Sequence, residues 1–379
     1  MAKQGVVIVG GGIVGVSAAY WLSKNRVPVT LLDQYEVPNR WSASGDHLQL
    51  FGLTHGRDAF YSEMAAKALA FWRELNKENG ADVFCPHGML DLAEAEHGYE
   101  EESLKVLKDM RIPVQRLEKK QIAKLYPMIN TRAVRWGLFH KDGGIIWAFR
   151  AVQALASLAQ KQGAKVRPHV RIAQIIRDKN GIRGLRDSAG HLWEGDHFLF
   201  TGGCWTPKLL SSWRLPVRVT RQAQIYVRPL LNSGRYRPQH FPVFSVKSAG
   251  FYGFPLHIHG FLKFVDDRPG TLEKNPDPSV GKDAGAAFEK KCRRFLGRFI
   301  PELERFTESE SSIGYYVSGK DGDFVVDRLP GAPNALVACG FSGKGFGLGP
   351  VLGKALADLA QDRKPDINLQ RFRLSRFKR

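Results

Sequence analysis

The chain opens on a change of hydrophobic period. Val6–Val9 is a short β-branched run of the kind that forms a buried parallel strand, and Ile13–Lys24 continues with helical spacing. Val27–Leu32 is a second apolar strand, ending on Asp33. Beyond a polar loop, Gln34–Phe51, the residues Phe60, Met64, Ala68, Phe71, Trp72 and Leu75 share one side of a helix predicted over Asp58–Glu78. Strands are predicted at Phe84–Leu92 and Trp136–Trp147. Between them lies a charged, mostly helical stretch, Glu100–Tyr126, broken by Pro113 and Pro127. Phe149–Gly163 is alanine-rich and helical, and Lys165–His169 begins another strand. Ile172–Arg177, Gly181–Asp187 and His191–Trp193 form a meander with turns at Lys179–Gly181 and Ser188–Gly190.

From Val217 to Val265 the runs alternate and are rich in aromatics: Gln224–Val227, Val243–Val246, Gly250–Phe254 and Gly260–Val265. This is the pattern of an antiparallel sheet packed on one face. A basic helix over Asp283–Phe299, short strands at Gly314–Val317, Phe324–Val326 and Ala335–Ala338, and a helix over Pro350–Leu359 complete the chain. There is no internal repeat.

Glycines stand where the first strand meets the first helix. Gly10, Gly12 and Gly15 are in G-x-G-x-x-G register: the first permits a tight turn, the second close approach of the backbone to a pyrophosphate, the third close helix–strand packing. The pyrophosphate would sit at a helix N-terminus, where free N–H groups and the helix dipole favour an anion. Asp33, about 20 residues on, can accept hydrogen bonds from a ribose. The loop after Asp33, with Ser42 and Ser44, passes near the ligand in such a fold. A second glycine-rich turn, Gly340–Gly349, again lies between a strand and a helix, and Lys344 adds a cation to it. Strand, glycines, helix, strand and acid together predict a bound dinucleotide.

At 379 residues the chain is long enough for two intimately connected domains. Its charge changes the picture more than its length. Lys and Arg number 56 against 37 Asp and Glu, a net +19, which favours acidic partners or simply a solvated basic surface. The basic residues are scattered, with modest runs at Lys290–Arg298 and Arg371–Arg379. Cys85, Cys204, Cys292 and Cys339 are far apart with no C-x-x-C spacing, so neither a disulfide framework nor a metal site is expected, and a reducing, cytoplasmic compartment fits. No apolar run is long and glycine-free enough to span a bilayer.

The order Gly10–Gly15, Asp33, Thr201–Trp205 and Gly340–Gly347 resembles the D-amino-acid-oxidase superfamily of FAD amine oxidoreductases, and within it the monomeric sarcosine oxidase and N-methyltryptophan oxidase family. The similarity covers nearly the whole chain. Its more specific pieces are Ser44-Gly-Asp-His47, Asp58–Leu75, Gly163–Val166, Tyr252-Gly-Phe-Pro255, Phe324–Asp327 and Gly340-Phe-Ser-Gly343. The resemblance implies an α/β (α+β) fold: a Rossmann-type FAD-binding domain from residues 1–82, 149–215 and 318–379, with an antiparallel-sheet substrate domain from 83–148 and 216–317.

It also implies an FAD lying extended between the two glycine turns. The contacting residues would be Gly10, Gly12, Ile13, Val14, Gly15, Asp33, Gln34, Ser42, Ser44, Ile172, Gly202, Trp205, Gly343, Lys344, Gly345 and Phe346. Lys263 matches a lysine that in such oxidases sits over the flavin and promotes reaction with O2. On spacing alone it reads as an edge-strand lysine facing solvent. Tyr252 matches a tyrosine lining the substrate cavity, and Lys344 stands where these oxidases usually carry His. Substrate contacts are expected from Leu48, Phe51, Ser245, Tyr252 and Gly347.

Several positions depart from the family. Gly314 replaces the cysteine that binds flavin covalently, so the FAD should be non-covalent. Phe51 and Gly347 replace the arginine and lysine that grip the substrate carboxylate, and Leu48 replaces a flavin-facing arginine. Losing two charge-assisted contacts at roughly 1.5–3 kcal/mol each weakens the binding of a free amino acid. A larger, more apolar pocket is expected instead. The implied reaction is oxidation of a C–N bond of a secondary or cyclic amine, or modified amino acid, to an imine, with O2 giving H2O2. A dehydrogenase with another acceptor, and an enzyme acting on a substrate tethered to an acidic carrier protein or tRNA, stay open. Of the partners, a small-molecule amine is expected, nucleic acid is not, and the chain is expected to be a monomer.

Overall fold

The computed structural model describes residues 5–229, 233–276 and 283–377, so Lys378 and Arg379 of the terminal basic run lie outside the described residues. Val6–Val9 sits inside a six-stranded sheet, parallel to Val29–Leu32 on one side and His197–Phe200 on the other. Lys165–Arg167 extends the sheet beyond Val29–Leu32. On the other side it continues through Ala332–Cys339 to the antiparallel edge strand Val325–Leu329.

These strands read as continuous apolar runs because both faces are covered. Val6, Ile8 and Leu31 face the helices Ile13–Lys24, Ala148–Lys161 and Gly345–Ala360. Val7, Leu32, Phe198 and Phe200 face Ile182 and Leu185 of the meander Ile172–Asp178, Gly181–Asp187 and Leu192–Trp193. The helices Ile13–Lys24 and Gly345–Ala360 cross in close contact. A Cβ on Gly353 would come within 2.4 Å of Ser17 Cβ, and one on Gly349 within 2.8 Å of Ile13 Cγ1. The last helix therefore begins at Gly345 rather than at Pro350: its glycines serve helix packing as well as the turn.

A second sheet has eight strands in the order Glu308–Gly319, Val217–Arg228, Leu262–Asp266, Phe251–Gly253, Val243–Val246, Met89–Ala93, Trp136–His140 and Gln115–Glu118. Its pairings are antiparallel except that of Val243–Val246 with Met89–Ala93. One face, with Leu90, Leu92, Ile225, Phe244, Val246, Phe251, Leu262 and Phe264, packs on Phe288, Cys292, Phe295 and Phe299 of the helix Ala286–Phe299. The alternate residues Asp91, Ser245, Lys247, Tyr252, Lys263 and Tyr226 lie on the other face.

Two predicted strands are each divided between sheets. Pro86 and Gly88 (φ +86°) separate Phe84–Cys85 from Met89–Ala93, and the turn Lys141–Gly143 separates Trp136–His140 from Gly144–Trp147. Phe84–Cys85 and Gly144–Trp147 join Leu48–Phe51 in a small three-stranded sheet. A Cβ on Gly144 would stand 2.1 Å from Cys85 O, so the approach needs glycine. The stretch Glu100–Tyr126 resolves into the helices Tyr99–Asp109 and Lys119–Leu125 around the strand Gln115–Glu118. Among the described residues no helix is long and apolar enough to cross a membrane.

Candidate active site

The first glycine turn is built against its neighbours. Gly10 (φ +110°) has no room for a Cβ, which would lie 2.7 Å from Gly202 Cα, and a Cβ on Gly15 would lie 1.9 Å from Gly10 O. Thr201 Oγ1 donates to Gly10 O at 2.9 Å and fixes the crossing. Gly12 is the N-cap and supplies no side-chain cap; a Cβ there would meet only Ser44 Oγ, at 3.3 Å. The Ile13 amide donates to Ser44 Oγ at 3.0 Å, which leaves first-turn amides of Val14 and Gly15 for an anion.

Asp33 accepts from the Gly11 amide at 2.7 Å and the Tyr35 amide at 2.8 Å. Burial pushes its pKa above the ordinary carboxylate value against those two bonds, and the carboxylate keeps lone pairs for a ribose. Gln34 follows it, half-buried. The Tyr35 and Trp205 rings are 5.9 Å apart beside this acid. The Val170 amide donates to Asp33 O at 2.7 Å, so the segment leading into Ile172 runs past the same point. Ser42 is tied to Asn39, its hydroxyl donating to Asn39 O at 3.1 Å. Bare helix-end amides, a strand–helix crossing too tight for a Cβ and an acid at the strand end fit an extended dinucleotide.

At the second turn Gly340 (φ +77°), Ser342 (φ +50°) and Gly343 (φ +79°) carry the chain over Tyr316, whose ring a Cβ on Gly343 would approach to 2.9 Å. The Ser342 amide donates to Val317 O at 2.9 Å and ties this turn to the eight-stranded sheet. Lys344 is the N-cap and Gly345 the first residue of the helix. Phe346 stacks on Trp72 (6.2 Å between ring centroids, 3° between planes), and Trp72 Nε1 donates to Gly347 O at 2.8 Å. Lys344 Nζ lies 4.6 Å over the Tyr61 ring. Burial lowers its pKa below the usual lysine value; Asp323 opposes this and Lys247 adds to it.

On the polar face of the eight-stranded sheet, Lys263 is 2% exposed on an interior strand. It does not face solvent as its spacing suggested. Its Nζ donates to Asp46 Oδ2 at 2.5 Å and to Leu48 O at 3.0 Å. Tyr226, opposite Lys263 in register, donates to Asp46 Oδ1 at 2.8 Å. Burial works to raise the Asp46 pKa, but the charge of Lys263 and the bonds from Lys263, Tyr226 and the His47 amide hold it below the ordinary range. Tyr252 OH is 3.3 Å from Tyr316 OH, and burial pushes both phenols above the usual value. Ser245, opposite Tyr252, donates its hydroxyl to Asp91 Oδ1.

Leu48 and Phe51 depart from the expected open pocket. Strand alternation sends them to opposite faces, and each is 1% exposed. Leu48 packs with Ile145, Val243, Phe254 and Val265, while Phe51 packs on Phe84, 5.2 Å between rings. Phe51 Cδ2 stands 3.3 Å from where a Gly347 Cβ would be. The phenylalanine thus fills the corner beside Gly347 rather than enlarging it.

A family model described as FAD dependent oxidoreductase matches residues 5–359. The chain belongs to that family. Over 384 aligned residues the oxidoreductase is 28% identical to N-methyl-L-tryptophan oxidase of Salmonella newport, with 99% of each chain covered. It has the fold of L-proline dehydrogenase from P. horikoshii (TM-score 0.88, 19% identity, 99% and 98% of the two chains). It also has that of the deglycating fructosamine oxidase from Aspergillus fumigatus (TM-score 0.83, 22% identity, 98% and 90%). It is FAD-dependent.

Sequence reading missed Tyr316, Tyr226 and Trp72 as site residues and gave Asp46 no role. For Tyr316 and Tyr226 the signal was the alternation of their strands, partly hidden by polar residues on both faces. Asp46 lay inside a recognised motif, Ser44–His47, but its partner is 217 residues away.

Proposed function

We propose that this oxidoreductase oxidises the C–N bond of a secondary or cyclic amine to an imine, with O2 as acceptor and FAD held non-covalently. The observation that carries this is the buried Lys263 on the same sheet face as Tyr252, whose hydroxyl reaches Tyr316 under the second glycine turn. When bound, FAD would supply the acceptor for hydride from the carbon beside nitrogen, with O2 as the final acceptor of the electrons. A cation at Lys263 favours the negative charge that develops on oxygen in a water-poor site. Lys344, at a helix N-terminus, would favour negative charge on a flavin bound there. Tyr252 and Tyr316 wall the space where substrate would lie and exclude water from it. The amine must be neutral when hydride leaves. The similarity to N-methyl-L-tryptophan oxidase supports an N-substituted amino acid or related amine.

Gly314 bears no thiol, although the position of its Cβ has nothing within 4 Å. Acid precipitation should therefore release yellow FAD into the supernatant; flavin retained in the pellet would refute non-covalent binding. Anaerobic mixing with a panel of secondary and cyclic amines should bleach the flavin band, and admitting air should restore it with H2O2. Bleaching by dithionite but by no amine would rule out the proposed reaction. One observation favours a dehydrogenase as the second reading. Asp46 neutralises Lys263, which weakens the field available to oxygen. Slow recovery in air, with fast recovery by a dye acceptor, would decide for it.

A further inference from the structure

Six buried side-chain polar atoms without a hydrogen-bond partner among the described residues gather at one end of the polar sheet face: Thr54 Oγ1, His55 Nε2, Asp91 Oδ2, Glu100 Oε1 and both ring nitrogens of His140. Asp91 lies among them: Glu100 feels its charge, and Met89, two residues before it on the strand, is the register partner of His140. Asp91 is 0% exposed and Ser245 holds Oδ1; Oδ2 is without a hydrogen-bond partner, and burial raises the pKa of the acid against the opposing pull of Ser245, Lys247 and the nearby Thr54 hydroxyl. No cation answers it. Lys247, whose charge it feels, is bonded to Asp267 at 2.8 Å. Burial keeps His55 and His140 uncharged, at about 3 and about 4. Ionising an acid buried this way, with no counter-ion, is costly, and a ligand that brings an N–H cation removes that cost.

Position relates this acid to the reacting centre. Across adjacent strands the row runs Val265, Tyr252, Ser245, Asp91. At about 4.8 Å per strand, Asp91 lies two strands, ~10 Å, from Tyr252 on the side away from Lys263. A substrate reacting beside Tyr252 would extend its far end along this row. We infer that Asp91, oriented by Ser245, is a subsite for a positively charged amine at the far end of the substrate, so that the preferred substrates are diamines or amines with a basic side chain. This rests on the amine-oxidising reading above.

The test uses the FAD-loaded protein and two probes, 1,5-diaminopentane and pentan-1-amine, titrated anaerobically by calorimetry. One charge-assisted hydrogen bond in a buried site makes the diamine bind about tenfold more tightly. Asp91→Asn, which keeps the shape, should bring the ratio of the two affinities to about one. Equal binding of both probes by the wild type, or a preference that survives in Asp91→Asn, overturns the subsite. The wild-type comparison decides even where the variant fails to fold. Flavin bleaching by N-methyl derivatives of the same probes reads out the reaction separately. Diamine preference without bleaching leaves the subsite standing and the reaction class refuted; bleaching without preference does the reverse.

Discussion

Lys263 shows how much one side chain depends on partners remote in sequence. Its two fixed bonds, to Asp46 and Leu48 O, come from the end of the loop after Val29–Leu32 and from the start of the strand Leu48–Phe51. Lys263→Met should slow the oxygen half-reaction by orders of magnitude and anaerobic reduction by substrate much less, which stopped-flow absorbance separates. Equal loss in both would make the lysine structural. Its ion pair makes a distinct prediction for stability. Removing one partner of a buried pair costs about 3–5 kcal/mol, because the other charge is left alone. Asp46→Asn should fall in that range by urea unfolding. Tyr226→Phe, which loses one hydrogen bond, should lose about 1 kcal/mol. Adding Lys263→Met to Asp46→Asn should restore part of the loss; a simple sum of the two losses would show the pair is not coupled. The lysine was legible through its resemblance to the oxidases. Asp91 and Lys247 were not, because a lone charge on an apolar strand gives no sign of which face it takes or what covers it.

At the scale of elements, the helices Ile13–Lys24 and Gly345–Ala360 matter as a pair. Gly349 and Gly353 let them touch, and each of these helices begins at one of the two glycine turns. Gly353→Val would drive a branched side chain into Ser17. The expected cost is about 1–3 kcal/mol in unfolding, with weaker FAD retention on gel filtration. Unchanged flavin content with a lowered melting temperature would confine that contact to stability. Short apolar strands such as Val6–Val9 and Val243–Val246 were legible to the residue. Val217–Arg228 and Glu308–Gly319 were read as four-residue pieces of twelve-residue strands. Each carries polar residues that bond to its neighbours: Gln222 to Asp266 O, Gln224 to Ser312. Such bonds are invisible before the partner strand is known.

For the whole molecule, the positive charge is partly used inside. Lys291, Arg293 and Arg298 pair with Asp266, Glu289 and Glu94, and Arg371 bridges Asp58 and Asp323. Several cations of the two basic runs are thus already paired within the chain, which leaves fewer of them for an acidic partner. Buried histidines govern acid sensitivity. His140 is 1% exposed and held at about 4, against about 6.5 unfolded. Between those values the unfolded chain binds a proton that the folded chain refuses, so stability falls as pH drops through the window. The stability gap between wild type and His140→Asn should shrink by ~1.4 kcal/mol per pH unit from about 6.5 to 4.5. Glu100, raised to about 7 by burial, acts in the opposite sense, losing its contribution as pH rises. A gap that is constant with pH would mean His140 is already charged in the fold.

The eight-stranded sheet gives each strand two audiences. Leu90, Phe244, Val246 and Phe251 answer to the helix Ala286–Phe299, while Asp91, Ser245, Lys247 and Tyr252, one residue away in each case, answer to whatever enters from the cofactor side. Selection can therefore rewrite substrate preference at every second position without disturbing the packing that keeps the chain folded. A library varied only at those alternate positions should yield mostly folded, flavin-loaded proteins with shifted amine preferences, while the same diversity moved one residue along should yield mostly insoluble ones.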